Sequence, residues 1–155
     1  MHSENFIFMG SSPEHIFNIA SDLSKWPDIL PHYRRVTYIE KSDSKNVVVM
    51  AAWRMISTYP WAKIPIQWTS EQVIDRQKTE IRFHHLKSFT KGMRVVWTFA
   101  PHGKGTNVRI VHDLDSQIPW LGKTVVEPVV GEFFVHFVAN QTLKHLKAYV
   151  EKHHA

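Results

Sequence analysis

One stretch of the chain, Trp68-Thr69-Ser70-Glu71-Gln72, combines an aromatic ring with polar groups that can hydrogen-bond to a ligand. If this stretch is a β-strand, Trp68, Ser70 and Gln72 share one face, because strand side chains alternate between faces. A serine hydroxyl can donate or accept a hydrogen bond, and a glutamine amide can orient a carbonyl oxygen. Ser70 and Gln72 are therefore candidate polar anchors for a ligand.

One histidine could exchange protons with such a ligand. His85 follows His84, and neighbouring strand residues face opposite ways, so His85 should share the face of Phe83. A histidine in an apolar pocket can act as an acid or base near neutral pH, although it is more often an interior polar group with satisfied hydrogen bonds. His85 is therefore a candidate for proton transfer.

Bulky apolar side chains recur at strand spacing and predict the walls of a pocket. Val95, Trp97 and Phe99 alternate on one strand, as Trp53 and Met55 do on another. Aromatic side chains inside a sheet often only pack, so packing and ligand contact are equally good interpretations of any one of them. The candidate wall residues are Trp26, Tyr33, Trp53, Trp68, Trp97, Phe134 and Phe137, with Ser70 and Gln72 as the polar contacts.

The N-terminal elements that would position these groups are clear in the sequence. After a short apolar strand over residues 5–9, Ser11 or Ser12 can cap a helix, and Pro13 suits its first turn. Apolar residues then repeat at helical spacing as far as Leu23. Trp26-Pro27 interrupts the pattern, and a second, short helix is predicted over residues 28–30. The beginning of the chain is therefore strand, helix, helix.

Six strand-like segments follow, separated by short polar turns, which is typical of an antiparallel meander. The predicted strands are 33–41, 46–56, 64–76, 79–86, 92–100 and 106–115. The chain then predicts a long helix from Pro128 or Gly131, apolar on most sides up to Val138 and only along one stripe afterwards. Such a helix should be enclosed by the sheet at its N-terminal half. The segment 116–126 could form a gate or an apolar contact surface.

Composition narrows the class of protein. The 155 residues fit a single domain, 1–155, and no apolar run approaches the roughly 20 residues needed to cross a bilayer. The absence of cysteine excludes disulfides, thiolate metal sites and cysteine nucleophiles. Together with the lack of a signal-like N-terminus, this predicts a cytoplasmic protein. The net charge of +5 comes from scattered residues, so we expect no nucleic-acid binding, while weak contact with an anionic membrane surface stays open.

Several histidines in the predicted strands could in principle bind a metal ion. His84 and His85 should point to opposite faces and so cannot easily share one ion, and His112-Asp113 lacks identifiable partners. No His-Glu-x-x-His motif, phosphate-binding glycine loop or Gly-x-Ser-x-Gly elbow is present. We expect neither a metal nor a cofactor.

The opening strand and helix, "Asp22…Trp26-Pro27" and "Pro31-His32-Tyr33" resemble the START-like (SRPBCC) superfamily, and within it the polyketide cyclase/dehydrase and coenzyme Q-binding protein group. The resemblance implies an α+β helix-grip fold (START-like or Bet v 1-like). In that fold a curved antiparallel sheet wraps around a long C-terminal helix and encloses an apolar cavity. The implied element order is β-α-α-β-β-β-β-β-β-α.

The resemblance also bears on the candidate site. Aromatase/cyclase domains of this group carry Trp-x-Ser-x-Arg on one strand, with the tryptophan and serine lining the pocket and the arginine orienting the polyketide chain. Here Trp68 and Ser70 match, and Gln72 replaces the arginine. A neutral amide stabilises a developing negative charge poorly, so the substitution favours binding over catalysis.

Three functions follow from the resemblance. The first is a binding module for a hydrophobic small molecule such as a polyketide, isoprenoid quinone or lipid. The alternative is an enzyme, an aromatase/cyclase that catalyses aldol cyclisation and dehydration of a poly-β-keto chain, with Ser70, Tyr33 or His85 assisting proton transfer. The third is a partner-binding protein similar to ribosome-associated toxin relatives. The sequence is compatible with a monomer or a homodimer.

Overall fold

The structure is a computed structural model that describes residues 1–55, 61–88, 90–114 and 137–153. Strand β1 (His2–Met9) leads into α1 (Pro13–Ser21), a 3₁₀ turn (Leu23–Lys25) and α2 (Trp26–Ile29). Six strands follow: β2 (Tyr33–Glu40), β3 (Lys45–Met55), β4 (Lys63–Asp75), β5 (Glu80–Lys87), β6 (Arg94–His102) and β7 (Gly105–Asp113). The C-terminal helix is α3 (Asn140–Lys152), preceded by a π-helical turn at 137–139.

The strands form a single antiparallel sheet in the order β1-β7-β6-β5-β4-β3-β2. β2 to β7 are a meander, and β1 joins the sheet by pairing with β7, so β1 and β2 are its edges. The predicted order of elements is confirmed, and each of the six predicted strands from 33 to 115 begins and ends within two residues of the observed one. The predicted start of the long helix lies outside the described residues.

The helices are held in place by a few specific contacts. Ser12 caps α1 by accepting a hydrogen bond from the His15 amide at 3.3 Å, with Pro13 at the first helical position. α3 is tied to β1 by the Asn5–Asn140 side-chain hydrogen bond at 2.8 Å, and to the following turn by Glu151, which accepts from the Gly10 amide at 3.3 Å. These contacts fix α3 against the sheet.

The core lies between the inner face of the sheet and the helices. Val95, Trp97 and Phe99 all face it, as their alternation predicts, and His85 is buried whereas His84 is exposed. Leu143, Leu146 and Val150 form the buried stripe of α3. None of the helices in the described part of the chain is long and apolar enough to cross a membrane.

Candidate ligand-binding site

A cavity of about 40 Å³ lies between the sheet and the N-terminal end of α3. Strands β3 to β7 supply one wall, α3 and the π-helical turn supply another, and Trp26 and Tyr33 close the side facing α2. Its lining residues are Trp26, Tyr33, Met50, Trp68, Phe83, His85, Val95, Trp97, Ile110, His112, Val138, Ala139 and Thr142. All of them are buried, and most of them are apolar.

Trp26 is the centre of the aromatic wall. Its ring centroid lies 5.1 Å from that of Tyr33, 5.8 Å from Trp97 and 6.1 Å from Phe83. Its indole N–H donates to the carbonyl of Ala20 at 3.1 Å, which satisfies the only polar group of the side chain. The Trp26 ring is therefore fixed to the end of α1 while its apolar faces remain available to the cavity.

Two histidines on neighbouring parts of the sheet bring polar atoms into this apolar space. The Nδ1 atom of His85 lies 2.8 Å from the Thr90 hydroxyl, and its ring stacks almost parallel to Trp68, with ring centroids 6.0 Å apart. Burial, with His112 and His84 nearby, lowers the pKa of His85 to about 3. Burial likewise lowers the pKa of His112 to about 4. Both imidazoles are thus uncharged at neutral pH.

A short chain of polar side chains borders the cavity at α3. Tyr33 hydrogen-bonds to Thr142, and the Thr142 hydroxyl lies 3.0 Å from Nε2 of His32. Burial raises the pKa of the Tyr33 hydroxyl well above its usual range. The Tyr33 hydroxyl is consequently neutral, and the polar groups of the cavity can make hydrogen bonds but carry no charge at pH 7.

Comparison with known sequences shows the family to which this chain belongs. A sequence model of the family described as polyketide cyclase/dehydrase and lipid transport matches residues 9–142, most of the chain. The protein belongs to this family. A Streptomyces cyaneus protein named as a polyketide cyclase is 20% identical over 113 residues, 72% of this chain and 71% of that protein.

Solved structures show the same fold. The Zhui aromatase/cyclase of Streptomyces sp. R1128 superposes with a TM-score of 0.75 at 15% identity, over 98% of this chain and 94% of that chain. A START superfamily protein of Mycobacterium smegmatis superposes with a TM-score of 0.73 at 15% identity, over 97% of each chain. At these identities the likeness shows the fold, which is the predicted START-like helix-grip fold.

Five of the side chains predicted for the site line the cavity of this polyketide cyclase/dehydrase-type domain: Trp26, Tyr33, Trp68, His85 and Trp97. Ser70 and Gln72 lie on the same strand face as Trp68 and are completely buried, but they are not among the lining residues. The Ser70 hydroxyl donates to the carbonyl of His84 at 3.2 Å. Gln72 donates to the carbonyl of Ser21 at 3.0 Å and accepts from the Asn46 amide at 2.9 Å. Both side chains are engaged in joining parts of the fold.

Trp53 and Phe137 do not line the cavity but border a separate outer groove next to it. Trp53 is three residues from the cavity-lining Met50, so the alternation of β3 places them on opposite faces, and the Arg34 guanidinium covers the Trp53 ring at 4.2 Å. Phe134, the remaining predicted wall residue, lies outside the described residues.

Several lining residues were missed by sequence reasoning. Met50 could have been found from strand pairing, because it is the register partner of Trp68. Ala139 and Thr142 are small residues of the C-terminal helix and carry no pattern that distinguishes them from packing positions. Thr142 is nevertheless the residue that joins Tyr33 to His32.

Proposed function

We propose that this protein binds a hydrophobic small molecule, such as a polyketide, an isoprenoid quinone or a lipid, in the cavity between the sheet and α3. The observation that carries the proposal is the composition of the lining: stacked aromatic and aliphatic side chains with a few inward polar groups. Apolar walls with a small number of oriented polar groups are typical of small-molecule sites. The family description, which names both polyketide cyclases and lipid transport, agrees with a ligand of this class.

Because the polar side chains that line the cavity are uncharged, they favour a ligand whose bound part is also uncharged. His85 and His112 are neutral because their pKa values are lowered, and Tyr33 is neutral because its pKa is raised. A charged group placed among them would lose its hydration without gaining an opposite charge. A carbonyl or hydroxyl oxygen, by contrast, can hydrogen-bond to an imidazole or a phenol.

The size of the cavity sets a condition on binding. Sites for drug-sized ligands enclose roughly 300–1,000 Å³, whereas this cavity measures about 40 Å³. The lining side chains must therefore move apart when such a ligand binds. Met50 is suited to this movement because methionine side chains repack easily.

The direct test is native mass spectrometry of the protein purified from its own host, followed by solvent extraction of whatever is bound. We expect a stoichiometric apolar compound. A protein that is isolated empty and fails to bind Nile red, an uncharged hydrophobic fluorophore, would contradict the proposal.

A second candidate function is catalysis by an aromatase/cyclase, because Tyr33 and His85 line the same cavity. Two observations rank it below binding. A histidine with a pKa of about 3 is a weak base, and Gln72, at the position of the family's arginine, is engaged in structural hydrogen bonds. Conversion of a poly-β-keto substrate by the wild-type protein, abolished by Tyr33→Phe, would establish the enzyme.

Filling the cavity provides a mutational test of the binding site. Ala139 lines the cavity and is buried, so Ala139→Leu should occupy the space that a ligand needs. We expect Nile red affinity to fall roughly tenfold or more, at a cost in stability of about 1–3 kcal/mol from overpacking.

Ala148→Leu, an exposed position on the same helix, is the matched control and should leave Nile red affinity unchanged. Fluorescence titration measures both variants, and circular dichroism checks that they fold. Equal Nile red affinities for the two folded variants would show that the dye binds somewhere other than this cavity.

A further inference from the structure

The outer groove lies beside the cavity, against the neighbouring flank of the C-terminal helix region. Its first wall consists of three residues spaced four apart along the C-terminal helix region, which therefore lie on one helix face: Phe137, Gln141 and His145. Pro31 and His32, just before β2, form a second wall, and Trp53 and Lys63, at the paired ends of β3 and β4, form the third. The groove has a volume of about 250 Å³, which is large enough for a ligand headgroup.

The groove and the cavity share a wall. His32 borders the groove, Tyr33 borders the cavity, and the hydroxyl of Thr142 lies between them, 3.0 Å from Nε2 of His32 and hydrogen-bonded to Tyr33. The His32 and Tyr33 rings are adjacent, with centroids 4.7 Å apart. One layer of side chains therefore separates the two spaces, and movement of that layer would connect them.

The charge of the groove differs from that of the cavity. Lys63 contributes an ammonium group, and the imidazoles of His32 and His145 lie with their centroids 6.3 Å apart. The guanidinium of Arg34 adds a further positive charge over the Trp53 ring. No carboxylate occurs among the groove-lining residues that the structure describes. Among its described lining residues, an anion in the groove would thus meet the positive charge of Lys63 and two imidazoles but no negative group.

An anion bound in the groove should change the protonation state of the buried His32 side chain. Burial and the neighbouring His145 lower the pKa of His32 to about 4, so His32 is neutral when the groove holds no anion. A negative charge beside the His32 ring would favour its protonated form. Binding of an acid should therefore be accompanied by proton uptake.

We propose that the groove binds the acidic end, a carboxylate or a phosphate monoester, of an amphipathic ligand whose apolar part lies in the cavity. This inference rests on the proposed function and narrows its ligand class: the uncharged interior holds the apolar chain or ring, and Lys63, His145 and His32 hold the acid. This proposal rests on the different chemistry of the two spaces on either side of Thr142. The cavity is apolar and neutral, whereas the groove is cationic.

The experiment compares three probes with the same ten-carbon chain at pH 7: decanoate, decyl phosphate and the uncharged decanol. Isothermal titration calorimetry with the wild-type protein should show that one or both anionic probes bind roughly tenfold more tightly than decanol. Which of the two binds better distinguishes a carboxylate from a phosphate ligand. Repeating the titrations in buffers of different ionisation enthalpy should reveal proton uptake with decanoate, which is itself fully ionised at pH 7, and none with decanol.

Variants of the groove show where the preference arises. Lys63→Met and His145→Gln should each weaken binding of the anionic probe severalfold, leave decanol binding unchanged and thereby shrink the preference. Lys104→Met, in the exposed β6–β7 turn, removes the same charge far from the groove and is the matched control.

The outcomes separate the inference from the function on which it rests. Equal binding of decanol and the two anions would overturn the groove assignment while leaving the cavity proposal intact. A preference for the anions that persists in both groove variants would also overturn it. Failure of all three probes and of Nile red to bind would instead overturn the proposed binding function itself.

Discussion

Lowering the pH from 7 to 5 should destabilise this protein by on the order of 6 kcal/mol, about 2 kcal/mol for each of three buried histidines. His32, His85 and His112 have pKa values of about 4, 3 and 4 in the folded protein. In the unfolded chain their pKa is near 6.5. Between pH 6.5 and the folded values, the unfolded state binds more protons than the folded state, so stability is lost as the pH falls through this range.

This loss is large compared with the total stability of small domains, about 5–15 kcal/mol. His2 acts in the opposite direction, because its hydrogen bond to Asp113 raises its pKa and stabilises the folded state at low pH. That residue is exposed, so its effect is small beside those of the buried histidines.

Urea denaturation at pH 7, 6 and 5 measures the free energy of unfolding. His85→Gln removes one of the three buried titrating groups and should reduce the pH slope by roughly a third. A slope equal to that of the wild-type protein would show that His85 does not contribute to the acid sensitivity.

Gln72→Leu should cost about 2–4 kcal/mol, although it replaces a buried polar side chain by an apolar one. Gln72 links three elements: its amide donates to the carbonyl of Ser21 at the end of α1, and its oxygen accepts from Asn46 on β3. Asn46 in turn accepts from the Ser42 amide at 2.9 Å. Leucine would leave the Ser21 carbonyl and the Asn46 amide unsatisfied in the interior, which costs about 1–3 kcal/mol for each group.

Gln67 is the matched control, because it lies on the same strand and is exposed. Gln67→Leu should change stability by no more than about 0.5 kcal/mol. Chemical denaturation of both variants at pH 7 gives the comparison, and similar midpoints would refute a structural role for Gln72.

The same contacts bear on Gln72→Arg, which would restore the arginine of the aromatase/cyclase pattern. At this fully buried position the guanidinium would be desolvated beside groups that now satisfy an amide. We therefore expect Gln72→Arg to lower stability rather than to raise cyclase activity.

Local sequence signals predicted the fold well, for reasons visible in particular residues. Ser12 and Pro13 determine where α1 begins because capping depends on atoms only a few residues apart. The alternation of Val95, Trp97 and Phe99 identifies the inner face of β6 because the strand period is two. These are properties of short segments, which a single sequence contains in full.

The site was harder to predict because it depends on contacts between distant segments. Alternation places Gln72 on the inner face, yet its partners lie 26 and 51 residues away in the sequence, and they determine that its amide is structural. Alternation alone places Trp53 and Met55 on one face of β3 but does not tell which face lines the cavity. The pairing of Met50 with Trp68 shows that the cavity face of β3 is the other one. The groove is lined by residues from four separate segments of the chain, so no local sequence motif predicts it.

The position of the tryptophans gives the protein its own optical reporter. Trp26, Trp68 and Trp97 surround the cavity, and the Trp26 and Trp97 rings are close enough, at 5.8 Å, for their excited states to couple. Indole emission shifts with the polarity of its surroundings, and coupled indoles give near-ultraviolet dichroism that depends on their mutual angle. A ligand that separates these rings should therefore change both spectra of the unlabelled protein, so occupancy can be followed without chemical modification.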